Sequence, residues 1–116
     1  MSVAFTHTQS LQLLHDVALQ LVRDGGHDLS NRQLAILLTV YLEIPPHTVR
    51  GLAAKLSVTK PVITRALDAM GDMDLVARRR DPTDRRNVIV QRTVQGALFL
   101  ERLGDLVIEK ARLLPA

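Results

Sequence analysis

At 116 residues, 47% of them apolar and 23% charged, the chain is long enough for one compact domain and too short for two. Aromatic residues make up only 3%, so a core must come from Leu, Val, Ile and Ala, a composition that favours helices and argues against an all-β sandwich. No cysteine is present, which excludes disulfides, thiolate metal sites and thiol redox sensing, and the net charge of +3 becomes informative only once it is placed along the chain.

The first seven or so residues carry no periodic pattern and are expected to form a loose arm. There is no basic leader ahead of Asp16, and the longest uncharged apolar run, Gln33 to Leu42, is half of what a membrane span requires. The sequence therefore reads as soluble and cytoplasmic.

From Thr8 or Ser10 onward, Leu11, Leu14, Val17, Ala18, Leu21 and Val22 recur at helical spacing, and Gly25-Gly26 supplies a left-handed stop. This predicts a first helix over about 9–24. Leu13 widens its apolar stripe beyond what one neighbour covers, so a second side is expected to meet a partner subunit. Ser30 and Gln33 fit a capping box that opens an apolar helix from Asn31 to about Glu43, and Ile44-Pro45-Pro46 stops it. Thr48 is placed to cap a short third helix ending near Leu56. Thr59 is expected to cap a fourth running to about Met73, in which Pro61 is tolerated because first-turn N–H groups have no helical acceptor.

Val76 to Arg80 and Val88 to Arg92 are β-branched or alternating segments separated by the turn-rich Asp81-Pro82-Thr83-Asp84-Arg85-Arg86-Asn87, which predicts a hairpin. Thr93 then caps a last helix over about 94–114, whose Ala97, Leu98, Leu100, Leu103, Leu106, Val107 and Leu113 again form a wide apolar surface. Gly104 near its centre costs about 1 kcal/mol relative to alanine, which fits a close crossing by another helix.

Charge concentrates in the hairpin. Between Leu75 and Arg92 six arginines (Arg78, Arg79, Arg80, Arg85, Arg86, Arg92) stand against Asp81 and Asp84, leaving the rest of the chain slightly acidic. Such a run is as readily a solvated face as a phosphate-binding surface when judged by charge alone.

Order and spacing are more specific. Two helices, a short helix, a tight turn, a longer helix, a two-stranded hairpin and a closing helix are the parts of a winged helix-turn-helix, a mainly α fold with a small β-hairpin, here spanning 1–116 as a single domain. Ala53 is small enough to let two helices cross, Leu52, Leu56 and Val58 plug the gap between them, and Ser57 sits where glycine is common. Ile63, Ala66, Leu67 and Met70 should face the core, leaving Lys60, Pro61, Thr64 and Arg65 outward near the N-terminal end of the helix. A helix N-terminus favours phosphate, Lys60 adds a cation, and Arg65 can reach a guanine edge or a phosphate.

Val58-Thr59-Lys60-Pro61-Val62-Ile63-Thr64-Arg65-Ala66-Leu67 resembles the recognition helix of the MarR family of winged-helix transcriptional regulators, and Arg80-Asp81-Pro82-Thr83-Asp84-Arg85-Arg86-Asn87-Val88 resembles its wing, within a similarity that spans roughly Leu34 to Gly96. The resemblance implies that Thr59, Lys60, Pro61, Thr64 and Arg65 meet the major groove, that Arg86 is a wing-tip arginine entering the minor groove, and that Asp84 holds it there. Arg85 would help on phosphates, and of Arg78 and Arg79, which point to opposite faces of a strand, Arg79 is taken as the one facing DNA. The bland alternative is that Asp84 and Arg86 only staple the loop. Asp74 stands where the family has glycine, so a slightly altered turn is expected there. The chain ends at Ala116, short of the C-terminal helices that build most of the family's dimer interface and ligand cavity, so a small-molecule effector is not expected.

The resulting reading is a sequence-specific double-stranded DNA-binding regulator, a homodimeric repressor on a pseudo-palindromic site, with the first and last helices as dimerisation elements. The alternative is a winged helix turned to protein binding through its terminal helices, against which the basic wing argues. An enzyme is disfavoured: His7, His15, His27 and His47 are scattered, Asp68, Asp72 and Asp74 read as solvated helix-end charges, and there is neither a glycine-rich phosphate loop nor a nucleophile elbow. No cofactor or metal is expected.

Overall fold

Helix ends in this chain are set by short side-chain caps. The structure, a computed structural model describing residues 4–115, contains α1 (His7–Asp24), α2 (Asn31–Leu42), β1 (His47–Thr48), α3 (Val49–Leu56), α4 (Lys60–Asp72), β2 (Val76–Arg80), β3 (Val88–Arg92) and α5 (Val94–Arg112). Ser30 and Gln33 form the expected capping box on α2, and Gly25 ends α1 in the left-handed conformation. α1 begins earlier than its apolar spacing suggests. Thr6 and Gln9 form a second capping box, so part of the expected loose arm is a helix start, while residues 1–3 lie outside the described ones. Two helices stop short of their predicted ends, α2 at Leu42 and α5 at Arg112.

Two further helices end on non-glycine residues with positive φ. Ser57 (φ 56°) follows α3 and Asp74 (φ 58°) follows α4. In each case the paired bonds of a Schellman closure form: Val58 N–H to the Ala53 carbonyl and Ser57 N–H to Ala54, then Leu75 N–H to Met70 and Asp74 N–H to Gly71. The turn at Asp74 is thus made without glycine, its strain offset by burying Leu75 against the core.

β1, β3 and β2 form an antiparallel sheet in that order. The β2–β3 hairpin pairs Val76 with Arg92 and Arg80 with Val88, as the alternation predicts. β1 pairs His47 with Val90 and Thr48 with Ile89; at two residues it is too short to leave any periodic signal.

The chain divides into two compact units. One, Leu29–Leu100, holds a core in which Ile36, Leu37, Ile63, Leu67, Met70 and Leu75 are essentially fully buried. Here the N-terminal turn of α5 is fixed by a small polar hub. The Tyr41 hydroxyl accepts from the Thr93 backbone N–H and donates to the Thr93 carbonyl, both at 2.8 Å, while the Thr93 hydroxyl donates to the Asp74 carbonyl and caps Gly96 N–H.

The other unit contains α1 and α5 from Glu101 onward. Its apolar side chains are poorly covered: Leu11, Leu14 and Val22 are 67%, 66% and 77% exposed, and Ile108 and Leu113 are exposed too. The close crossing expected at Gly104 is not found within the chain, where nothing described lies within 4 Å of a Cβ built on that residue. Among the described residues no helix is long and apolar enough to cross a membrane.

Candidate nucleic-acid interface

The apolar spacing of α4 buries Ile63, Ala66, Leu67 and Met70 and leaves Lys60, Pro61, Thr64 and Arg65 exposed along one edge. Thr59 occupies the N-cap position, but its side chain makes no capping hydrogen bond, contrary to the role expected of it. Its extended backbone with Pro61 next in the first turn already starts the helix, and the exposed hydroxyl stays available to an outside partner. Lys60 and Arg65 likewise have no ion pair among the described residues.

The wing is a braced loop. Asp81 accepts from the Thr83 hydroxyl at 2.7 Å and its backbone N–H at 2.9 Å, the Asp81 N–H donates to the Asn87 carbonyl, and Asn87 N–H donates to the Asp84 carbonyl. Arg80 Nη1 donates to the Arg85 carbonyl at 2.9 Å, so this arginine supports the loop from the strand. Asp84 is engaged by Arg86 three times: Nε and the backbone N–H reach Oδ1 at 3.1 Å, and Nη2 reaches Oδ2 at 3.3 Å. This fork aims the guanidinium while leaving Arg86 80% exposed against 33% for Asp84.

Hydrogen bonding sets the electrostatics of both wing carboxylates. The Arg86 side chain, then its backbone N–H, holds the Asp84 carboxyl below the usual carboxylate range, with the Arg50 charge assisting. The Thr83 hydroxyl, then its N–H, lowers Asp81 in the same way. Both stay ionised at neutral pH, so the loop keeps its shape there.

The six clustered arginines have four different fates. Arg78 pairs with Asp68 of α4 at 2.8 Å, whereas Arg79 beside it stands exposed with no ion pair among the described residues, as strand alternation requires. Arg85 and Arg86 present side chains at the exposed loop, and Arg80 braces it. Arg92 stands at the end of β3 away from the loop and, though exposed, is tied to the core side: its Nε donates to the Val40 carbonyl at 3.0 Å and its guanidinium lies 5.6 Å from the Tyr41 ring centroid. Arg50 is a basic residue the sequence reading missed; strand β1 brings the start of α3 beside β3, close enough for Arg50 to act on Asp84.

Among the described residues no group of three or more His, Cys, Asp or Glu side chains is arranged to hold a metal ion. An exposed helix edge next to a braced arginine hairpin on a three-helix core defines a winged helix-turn-helix protein. Residues 29–88 match the sequence profile of the MarR family, and the chain belongs to that family of transcriptional regulators. Solved structures agree. The transcriptional repressor CouR bound to a 23-mer DNA duplex is 26% identical, with a TM-score of 0.71 over 89% of this chain and 70% of its own. The transcriptional regulator Tm0710 from Thermotoga maritima is 25% identical, with a TM-score of 0.65 over 89% of this chain and 67% of its own. A point mutant of S. aureus MepR bound to an oligodeoxyribonucleotide, 21% identical, has the same fold with a TM-score of 0.77 over 94% of this chain and 81% of its own. No curated protein matches the chain in sequence.

Proposed function

We propose that this protein is a sequence-specific double-stranded DNA-binding repressor that acts in the cytoplasm as a homodimer on a pseudo-palindromic site. The observation that carries the reading is the division of labour among exposed cations. Arg86 is aimed from the hairpin by Asp84, and the N-terminal edge of α4 offers Thr59, Lys60, Pro61, Thr64 and Arg65 with no internal ion pair. A helix edge of this width fits the major groove, and a guanidinium on a thin hairpin fits the narrow, strongly negative minor groove. Arg79 and Arg85 would take flanking phosphates, which position the protein without reading sequence. CouR, a repressor solved on a DNA duplex, supports both the partner and the regulatory sign.

The exposed apolar faces of α1 and α5 supply the surface for a second copy, which would also cover Gly104. Selection of bound fragments from genomic DNA tests the reading. Recovery of a shared inverted repeat is expected, with affinity that falls steeply as salt rises. Recovery of no common sequence, together with a flat salt response, would sink it in favour of protein binding.

A further inference from the structure

Beside the recognition helix lies a cleft of about 240 Å³ lined by Ser30, Arg32, Gln33, Val62, Arg65 and Ala66. It brings the first turn of α2 against the exposed face of α4, and two of its walls are guanidinium side chains from different helices. No acid lines it. Neither Arg32 nor Arg65 has an ion pair or side-chain hydrogen bond among the described residues, although arginines elsewhere in the chain find Asp68 or Asp84.

The remaining polar groups have the same sense. Gln33 spends its carbonyl oxygen on the Ser30 N–H, and the Ser30 oxygen accepts from the Gln33 N–H, so the Gln33 amide nitrogen and the Ser30 hydroxyl hydrogen are left as donors. Two cations sharing one cleft repel each other unless an anion enters between them, and guanidinium forks match phosphate geometry.

From this convergence we infer that Arg32 and Arg65 form a clamp for one DNA backbone phosphate. Arg65 is then a positioning group on the backbone, and base reading from α4 falls to Thr59, Lys60 and Thr64. Arg32 fixes how α4 is seated in the major groove although it lies outside the helix-turn-helix itself. The inference rests on the DNA-binding reading above and adds a residue to it.

The test measures fluorescence anisotropy of the full chain with a mixed-sequence duplex and with the selected site, across a salt series. Arg32→Ala is expected to weaken both by a similar factor, roughly tenfold, and to reduce the slope of log affinity against log salt by about 1. Arg32→Lys should recover most of the loss. In an Arg65→Ala background the Arg32 effect should shrink, because the two side chains share one target. A single methylphosphonate at the clamped position should weaken the parent protein and leave Arg32→Ala unaffected.

The clamp is overturned if Arg32→Ala stays within about twofold of the parent with an unchanged slope while Arg86→Ala loses affinity. A change of base preference in Arg65→Ala without a uniform loss would also overturn it. Failure of the parent protein to bind any duplex would instead remove the DNA-binding reading, and the clamp with it. The Arg32 side chain has no hydrogen bond or ion pair among the described residues, so a melting temperature equal to the parent's shows that a loss comes from the interface.

Discussion

The Tyr41 hydroxyl occupies the space that a side chain on residue 96 would need. A Cβ built on Gly96 falls on that oxygen and on the Leu75 carbonyl oxygen, so glycine is required by close approach and not by backbone angle. The approach lets Tyr41 bond both the N–H and the carbonyl of Thr93 and so set where α5 leaves the sheet.

Gly96→Ala is therefore expected to destabilise the fold by about 1–3 kcal/mol through overpacking against backbone that cannot retreat. Tyr41→Phe should cost about 1–3 kcal/mol by leaving the part-buried Thr93 groups without their partner. Combined, the two changes should cost less than their sum, since the phenylalanine removes the Tyr41 hydroxyl oxygen, one of the three atoms that alanine strikes, the others being the Leu75 carbonyl oxygen and the Tyr41 Cζ. Urea denaturation of the four proteins checks this, and strict additivity would show that the hydroxyl does not fill the space.

Ser57 and Asp74 hold left-handed geometry without glycine, Ser57 in the helix-turn-helix turn and Asp74 at the entry to the wing. Ser57→Gly is expected to raise stability by about 0.5–1 kcal/mol, the relief of left-handed strain minus the extra freedom of an unfolded glycine. Asp74→Gly should gain less, because aspartate tolerates that region better than serine, and its carbonyl would keep the bond from Thr93. Thermal melts of both variants give the comparison directly.

These positions show what the sequence discloses and what it hides. The Ser30–Gln33 box, the Gly25 stop, the hairpin and the outward edge of α4 are all local patterns, with the deciding residues within a few positions of one another, so they are legible from spacing. Asp84 and Arg86 are two apart, and their pairing is legible for the same reason. Arg92 is not: its partners Val40 and Tyr41 lie more than fifty positions away, so it counts in sequence as one more wing cation. Shorter but still long separations hide Arg50 beside the wing, Arg32 beside Arg65, and β1, whose two residues become a strand only when β3 is present to pair with them.

Asp84 links wing order to pH. Its pKa is depressed in the folded loop, chiefly by the Arg86 side chain, so the bracing it provides is fully present above the unfolded carboxylate value and is lost as pH falls through the lower folded value. Binding at neutral pH should not respond to this titration. Asp84→Ala removes the brace at any pH and should weaken duplex binding roughly two- to tenfold, the cost of ordering a freed arginine on DNA. The loss should be smaller than that of Arg86→Ala, which removes the contacting group itself. An equal or larger loss in Asp84→Ala would mean the aspartate contributes more than orientation.

The uncovered face of α1 bears on assembly. Leu14 is 66% exposed beside the similarly exposed Leu11, and a second copy docking there would bury both. Leu14→Glu is expected to convert a dimer to a monomer in sedimentation velocity, with helical content retained because the side chain has little to lose within its own chain. A dimer that survives the change would place the contact on another face.

Arg86 and Arg92 belong to one arginine-rich stretch yet should separate cleanly by experiment. Arg92→Ala removes a part-buried hydrogen bond to Val40 and a cation over the Tyr41 ring, and should cost about 1–3 kcal/mol of stability. Its distance from the exposed loop means that the salt slope of DNA binding should stay unchanged where the variant is folded. Arg86→Ala should do the reverse. Its own side chain is largely exposed and bonds only Asp84, so the melting temperature should barely move, whereas binding should weaken most on A·T-rich flanks, where a narrow minor groove rewards a guanidinium. A stability loss in Arg86→Ala with unaltered binding would confine the Asp84 pair to stapling the loop and take the wing out of the interface.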